Sequence, residues 1–245
     1  MNMNIIKRHL LICTLFFLSF SAYGQDMRIY PKIIGLNEFD FPEVPSEAWH
    51  DFMSSSRRQY YIDEYGGITI KNKKYISRHI LEYDGGTFIG IDRGEWGGEL
   101  IYRKGTNEYK ILDRNIREII NYNNEIYILA GLSHLATFWG KIIKLELKNG
   151  IWESTSIIEL NGCPEIYTVF NNKLYIVTDR LIKDGFITSE LITFDGKNIQ
   201  QILIRQFWER LNPETIYVNE KFIAIGMKGC VAIINKENNE IKYYK

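Results

Sequence analysis

A short pattern occurs four times along this chain of 245 residues. Each copy has two residues that favour a tight turn, a run of alternating apolar and polar or aromatic residues, a loop, and a second β-forming run. The copies start at Tyr83, Tyr122, Phe170 and Val218, so successive starts are 39, 48 and 48 residues apart. This period is typical of four-stranded propeller blades. The repeat therefore predicts an all-β, propeller-like array of four antiparallel blades, each with four strands.

The second repeat shows the plan of a single blade. Its residues 141–147 alternate apolar with polar side chains, which indicates a strand with one buried face. Asn123-Asn124 and Asn149-Gly150 are strong hairpin turns, because their residues tolerate positive φ. The predicted segments are, in order, strand 116–121, turn Asn123-Asn124, strand 125–129, loop 130–139, strand 141–147, turn Asn149-Gly150 and strand 151–158. Segments in this order form a four-stranded meander.

The same plan divides the rest of the chain. A propeller-like domain is predicted over 60–245, and its hairpin at 60–71 either forms a fifth, partial blade or plugs one end. An N-terminal extension at 25–59 contains a predicted short helix with Ser46 as its cap. The four repeats run over about 77–112, 114–158, 164–204 and 214–244.

Recurring aromatic residues in the repeats are assigned to the core. Tyr127, Tyr175 and Phe222 are predicted at equivalent positions, because each sheet of a propeller buries one face against the next blade. The recurrent glycines and asparagines are assigned to turns, since no phosphate-binding glycine motif follows a strand.

The N-terminus has the features of an export signal. A basic head at Lys7-Arg8 precedes an apolar stretch at 10–20, and Ala22-Tyr23-Gly24 places small residues where a signal peptidase reads them. We therefore predict a signal peptide over 1–24, cleaved before Gln25, and a periplasmic or secreted protein. An uncleaved anchor is the alternative, although the apolar stretch is short for a membrane span.

Charge and cysteine content limit the function further. Without residues 1–24 the chain has 28 basic and 30 acidic side chains, because the segment removes Lys7 and Arg8 and no acid. This near-neutral balance argues against binding to nucleic acid or to an anionic membrane surface. Because no later segment of the sequence is apolar for long enough to cross a membrane, we also expect no stable membrane insertion. Cys163 and Cys230 form a disulfide or remain buried thiols, and thiols are favoured because the two lie in different repeats.

The loops between second and third strands carry the most varied chemistry. In a meander these loops emerge at one end of every sheet, together with the connections between blades, and we call this end the loop face. Rigid scaffolds concentrate binding residues on such loops. The candidate residues for binding a ligand or partner are Arg93, Glu95, Trp96, His134, Trp139, Arg180 and Phe186.

The string Gly94-Glu95-Trp96-Gly97-Gly98 is the most distinctive of these loops. It resembles a string in bacterial propeller-like proteins of unknown role, some of them suspected immunity or interaction proteins. The resemblance covers about ten residues and implies an interaction role without an activity. A structural role is the alternative, in which Trp96 folds back over the blade end and the glycines form a bulge.

Catalytic and metal-binding patterns are weak. Neighbouring Ser133 and His134 do not make a nucleophile and base, which need converging side chains, and no cysteine pair has zinc spacing. We therefore expect no cofactor, no metal and a non-enzymatic binding module for a protein partner. One alternative is a carbohydrate-binding protein or glycoside-active enzyme that uses the aromatic residues with the loop acids Asp92, Glu95, Asp179 and Asp184. Another is an immunity protein against a secreted toxin. Partner identity, oligomeric state and ring closure stay open.

Overall fold

A computed structural model describes residues 36–56, 58–71, 77–181, 187–206 and 208–245. The predicted signal peptide and the candidate residue Phe186 lie outside these residues. The structure is all-β, with four sheets of at least four antiparallel strands and one two-stranded sheet, which confirms the propeller-like class. Within the described ranges, no helix is long and apolar enough to cross a membrane.

The first two blades are meanders in which each strand pairs with its neighbour in sequence. The first strand of each blade is the innermost one, and the fourth lies at the outer edge. The strands of the first blade are Arg78–Tyr83, Gly86–Asp92, Gly98–Lys104 and Asn107–Leu112. Those of the second blade are Ile116–Tyr122, Glu125–His134, Thr137–Lys148 and Ile151–Leu160.

The third and fourth blades repeat this order. The strands of the third blade are Cys163–Phe170, Lys173–Leu181, Ile187–Phe194 and Ile199–Gln206. Those of the fourth are Thr215–Val218, Phe222–Met227, Cys230–Asn235 and Ile241–Tyr244. A 3-10 turn at Trp208–Leu211 connects the two blades. Cys163 and Cys230 are buried free thiols and form no disulfide.

The predicted N-terminal hairpin forms half a blade beside the fourth blade. Strands Gln59–Ile62 and Ile68–Lys71 pair with each other, and Gln59 bridges to Lys228. Tyr60 and Ile62 pack in one cluster with Phe222, Ala224 and Val231 of the fourth blade. The hairpin therefore continues the stack as a partial fifth unit.

The N-terminal extension packs on the outside of the fourth blade. Strand Glu38–Phe39 pairs with Ile241–Tyr244, so an N-terminal strand does cover the edge of the last one. The helix spans Glu47–Ser55, and the Ser46 hydroxyl accepts a hydrogen bond from the Trp49 N–H at 3.1 Å, as the predicted cap requires. Trp49 is buried among the aromatic rings of the extension and Tyr243.

Apolar clusters between adjacent sheets form the core, one cluster at each blade interface. Tyr127 and Tyr175 lie at equivalent buried positions, as predicted, and Phe88 takes the same position in the first blade. The prediction for Phe222 is wrong. The third-blade turn is closed by Phe170 and Lys173, whereas the fourth-blade turn is closed by Asn219 and Phe222, because the Asn219 N–H donates to the Phe222 carbonyl at 3.1 Å. Tyr175 lies two residues after Lys173, so Ala224, two residues after Phe222, takes the equivalent position.

The second blade also departs from the predicted strand bounds. The predicted loop 130–139 is wrong, because both middle strands continue through it and pair up to His134 and Thr137. The turn contains only Leu135 and Ala136. In the third blade, Thr178 to Leu181 likewise belongs to a strand and pairs with residues 187–190. These strands are longer than predicted because their apolar alternation continues past the residues at which the prediction placed a loop.

Candidate functional site

The loop of the first blade is a tight 3-10 turn at Gly94–Trp96. The Trp96 N–H donates to the Arg93 carbonyl at 3.2 Å, and the Arg93 N–H donates to the Gly97 carbonyl at 2.9 Å. Gly94 and Gly97 have φ of 60° and 82°, a region that favours glycine. The two glycines therefore serve the backbone of the turn and project its intervening side chains from the loop face.

Buried polar side chains fix the base of this turn. Asp92 is 4 % exposed, and its Oδ1 accepts a hydrogen bond from the Gly94 N–H at 2.8 Å. Asn115, on the connection to the second blade, donates from Nδ2 to the Gly94 carbonyl at 2.6 Å. The turn is thus tied to two neighbouring elements and holds its position relative to the second blade.

Two large apolar side chains project from this part of the loop face. Trp96 is 81 % exposed and Leu135, at the tip of the second blade, is 82 % exposed. Glu95 Oε2 lies 3.4 Å from His134 Nδ1, so the two loops are in contact. The structure therefore brings Glu95, Trp96 and His134 together, and we call these three residues with Leu135 the loop-face patch.

Leu135 adopts a backbone conformation that leucine disfavours. Its φ is 51°, in the left-handed region that costs an L-residue about 1–2 kcal/mol. The first residues of three other two-residue turns are Asp84, Asn123 and Asn149, with φ between 51° and 52°, and the second residues of those turns also have positive φ, which Ala136 does not. Asp and Asn tolerate this region, and hairpin turns select them for that reason. A leucine at this position carries both backbone strain and an exposed apolar surface.

The other candidate residues lie elsewhere or serve the fold. Arg93 pairs with Glu99 on the neighbouring strand. Trp139 is partly buried and packs against the core between the first two blades. Arg180 lies on the third blade, where its Nε donates to Thr188 Oγ1 at 3.4 Å. Trp139 and Arg180 are therefore separate from the loop-face patch, whereas the Arg93 backbone belongs to the turn that carries Glu95 and Trp96.

A cavity on the propeller axis is the second feature of this end of the molecule. It has a volume of about 330 Å³ and is lined by the starts of the innermost strands of all four blades and by Ile62 of the hairpin. Because each innermost strand begins at the loop face, this axial cavity lies at the same end as the loop-face patch. Its titratable lining residues are His79, Asp92, Arg117, Glu118, Glu165, Tyr167 and Glu214.

Ion pairs between adjacent blades organise the wall of the axial cavity. Arg117 donates from Nη1 to Asp92 Oδ2 at 2.7 Å, from Nη2 to Glu165 Oε2 at 2.5 Å, and from Nε to the Pro164 carbonyl at 3.2 Å. His79 Nδ1 lies 3.1 Å from Glu118 Oε1. Three carboxylates, one guanidinium and one imidazole are thus held in defined orientations.

The surroundings of these groups shift two pKa values. Burial acts to lower the pKa of Arg117, but the negative charges of Glu165 and Asp92 outweigh burial and raise that pKa. Burial also raises the pKa of Tyr167 to about 12, with a further contribution from the charge of Glu118. Arg117 stays charged and the Tyr167 hydroxyl stays protonated at neutral pH.

Among the axial residues, only Asp92 is a site candidate predicted from the sequence. A signal for two others was present, since Pro164-Glu165 and Pro213-Glu214 repeat at the start of the third and fourth repeats. Proline is tolerated as the first residue of a strand, so the pair marks equivalent strand starts. Ile116 and Arg117 occupy the corresponding positions of the second blade with different residue types, which hides the pattern.

No family model matches the sequence, and no curated protein matches it. Several solved structures are similar to this chain. The match to the tricorn protease covers 73% of this chain and 23% of the protease chain, at 14% sequence identity and a TM-score of 0.36. The match to a thermostable family-43 glycoside hydrolase covers 66% of this chain and 69% of the hydrolase chain, at 11% sequence identity and a TM-score of 0.35. A third match is to a family 117 glycoside hydrolase from the marine bacterium Zobellia galactanivorans. It covers 86% of this chain and 71% of the hydrolase chain, at 10% sequence identity and a TM-score of 0.36. The chain spans less than a quarter of the tricorn protease.

Proposed function

We propose that this chain is an exported, non-enzymatic binding module that recognises a protein partner through the loop-face patch. Leu135 is the observation that carries the proposal. A leucine that is both strained and exposed lowers the stability of the free protein, and such strain concentrates at functional positions. A partner that covers Leu135 buries an apolar side chain that the free protein leaves exposed.

The composition of the loop-face patch supports a protein partner. Tryptophan is enriched among the residues that dominate protein interfaces, and a leucine beside it extends the apolar contact. Glu95 and His134 provide a polar rim at the same place. The hydrogen bonds of Asp92 and Asn115 hold the Trp96 turn in place before binding, which reduces the ordering penalty of association.

Affinity capture from the envelope of the native cell tests this proposal. We expect one partner to bind the wild-type protein and to be lost with both Trp96→Ala and Leu135→Asn, because each removes an exposed apolar side chain. Ile151→Ala is the matched control, since Ile151 is 57 % exposed and follows the Asn149-Gly150 turn at the opposite end of the blade. A captured partner that binds both patch variants as well as the wild type does not use this surface.

A glycan ligand is the second candidate, because an exposed tryptophan beside charged side chains also suits stacking on a sugar ring. It predicts affinity for members of a glycan panel that Trp96→Ala abolishes and Leu135→Asn preserves. An immunity role is a special case of the first proposal, in which the partner is a secreted toxin. Inhibition of the captured partner's toxicity by wild type but not by Trp96→Ala distinguishes it.

A further inference from the structure

The axial cavity carries an excess of negative charge. Each of the four blades contributes one carboxylate to its lining, and Arg117 is the guanidinium among them. With His79 neutral, these groups have a net charge of −3. A concave site lined mainly by one sign of charge concentrates ligands of the opposite sign. The carboxylates are Asp92, Glu118, Glu165 and Glu214.

Apolar side chains alternate with these charges around the cavity. Ile62, Leu129, Ile166 and Ile216 come from four different strands of the wall. A volume of about 330 Å³ lies at the small end of the range for ligand pockets. Carboxylates alternating with apolar side chains suit a ligand that combines a cationic group with a short hydrocarbon chain.

Arg117 already shows how this wall holds a guanidinium. Its three donor nitrogens contact the carboxylates of two blades and a backbone carbonyl. Glu118, the next residue of the same strand, is oriented in advance, because its Oε1 accepts from the Ile119 N–H at 3.0 Å and lies 3.1 Å from His79 Nδ1. These contacts engage Oε1, and we assign Oε2 to the ligand.

We propose that the axial cavity binds an organic cation, a guanidinium or ammonium group on a short alkyl chain, with Glu118 as its main anchor. The cation is either a free small molecule or a basic side chain of a protein docked on the loop face. Both sources share the same chemistry. The proposal does not depend on the loop-face patch, because none of the four patch residues lines the cavity.

Isothermal titration calorimetry of the purified protein with butylguanidinium tests this proposal. We expect binding with one site per chain, and no binding of the neutral isostere N-butylurea or of butyrate. Glu118→Gln should weaken binding by about tenfold, since a hydrogen bond to a charged group contributes at least this much. Glu153→Gln is the matched control. It removes the same charge from an exposed position on an outer strand and should leave the affinity unchanged.

Further measurements distinguish a free small cation from a basic side chain, and a second cavity variant keeps the test valid if Glu118→Gln misfolds. A blocked Ala-Arg-Ala peptide that binds more tightly than butylguanidinium identifies a side chain as the ligand, and one that fails to bind identifies a free small cation. Ile166→Phe fills the cavity without changing its charge and should also reduce binding, so the test does not rest on Glu118→Gln alone. Trp96→Ala should retain full affinity.

Three results would overturn the proposal. The first is equal binding of butylguanidinium and N-butylurea, and the second is unchanged affinity in both cavity variants while urea unfolding shows them intact. The third is displacement of butylguanidinium by calcium chloride at the same concentration, which would assign the carboxylates to an inorganic cation.

Discussion

Replacing Leu135 by asparagine should stabilise this protein, although the change removes an apolar side chain. Left-handed backbone costs leucine about 1–2 kcal/mol, and asparagine tolerates the same conformation at much lower cost. Leu135 is 82 % exposed, so its remaining contacts amount to about a fifth of a fully buried leucine, or about 0.4 kcal/mol. The difference predicts a gain of about 1 kcal/mol in the free energy of unfolding.

Urea denaturation followed by tryptophan fluorescence measures this gain. The midpoint should rise while the slope stays constant, which shows a change in stability without a change in the surface exposed on unfolding. In a thermal melt, a gain of this size raises Tm by about 2–4 °C for a domain of this length.

The reciprocal change provides the control. Asn149 is exposed, has the same φ of 51° and occupies the first position of its two-residue turn. Asn149→Leu should therefore lower stability by about 1 kcal/mol. Unchanged or lower stability in Leu135→Asn, with the expected loss in Asn149→Leu, would mean that contacts of Leu135 offset its backbone strain. Leu135 would then need no binding partner to explain its place in the turn.

Two further predictions concern the core. Gly140→Ala should lower stability by about 2–3 kcal/mol in urea denaturation, because an added Cβ would lie 2.1 Å from the Gly162 carbonyl oxygen, a backbone atom that cannot easily move. Gly105→Ala adds its Cβ in open space at φ 60° and should lose only about 1 kcal/mol, so equal losses would contradict the packing argument. Burial raises the pKa of Cys163 and raises that of Cys230 to about 12, so both thiols stay protonated at pH 8. Iodoacetamide should label neither in the native protein and both after unfolding, as read by peptide mass spectrometry; native labelling at the rate of a free thiol would contradict their burial.

Turns and alternation made most of the fold predictable. Asn123-Asn124 and Asn149-Gly150 both adopt the positive φ that their residue types favour, so the second blade folds around the predicted hairpins. The Ser46 cap could also be predicted from the sequence, because a helix cap depends on local backbone groups alone. These signals are short in range and do not depend on the rest of the chain.

The errors arose where local signals compete or are missing. Leu135-Ala136 has no turn signature, so the long hairpin of the second blade was interpreted as a loop. The Phe222 position was wrong because the two-residue turn of the fourth blade lies one residue later in its repeat than that of the third blade, and sequence spacing alone does not reveal that shift. The axial cavity depends on which strand ends meet on the axis, a non-local property that no single repeat contains.

Both candidate sites lie where the repeats differ most. Equivalent core positions keep large apolar or aromatic residues in three blades, because each sheet must pack against the next. Strand starts on the axis and hairpin tips do not have to pack against the next sheet. At the strand starts the chain places Arg117 in contact with Glu165, and at the tips it exposes Leu135 and Trp96. Asp92 connects the two regions, since one carboxylate oxygen holds the Trp96 turn and the other holds Arg117. A cation in the cavity that displaces Arg117 from Asp92 would therefore act directly on the base of the turn that carries Trp96.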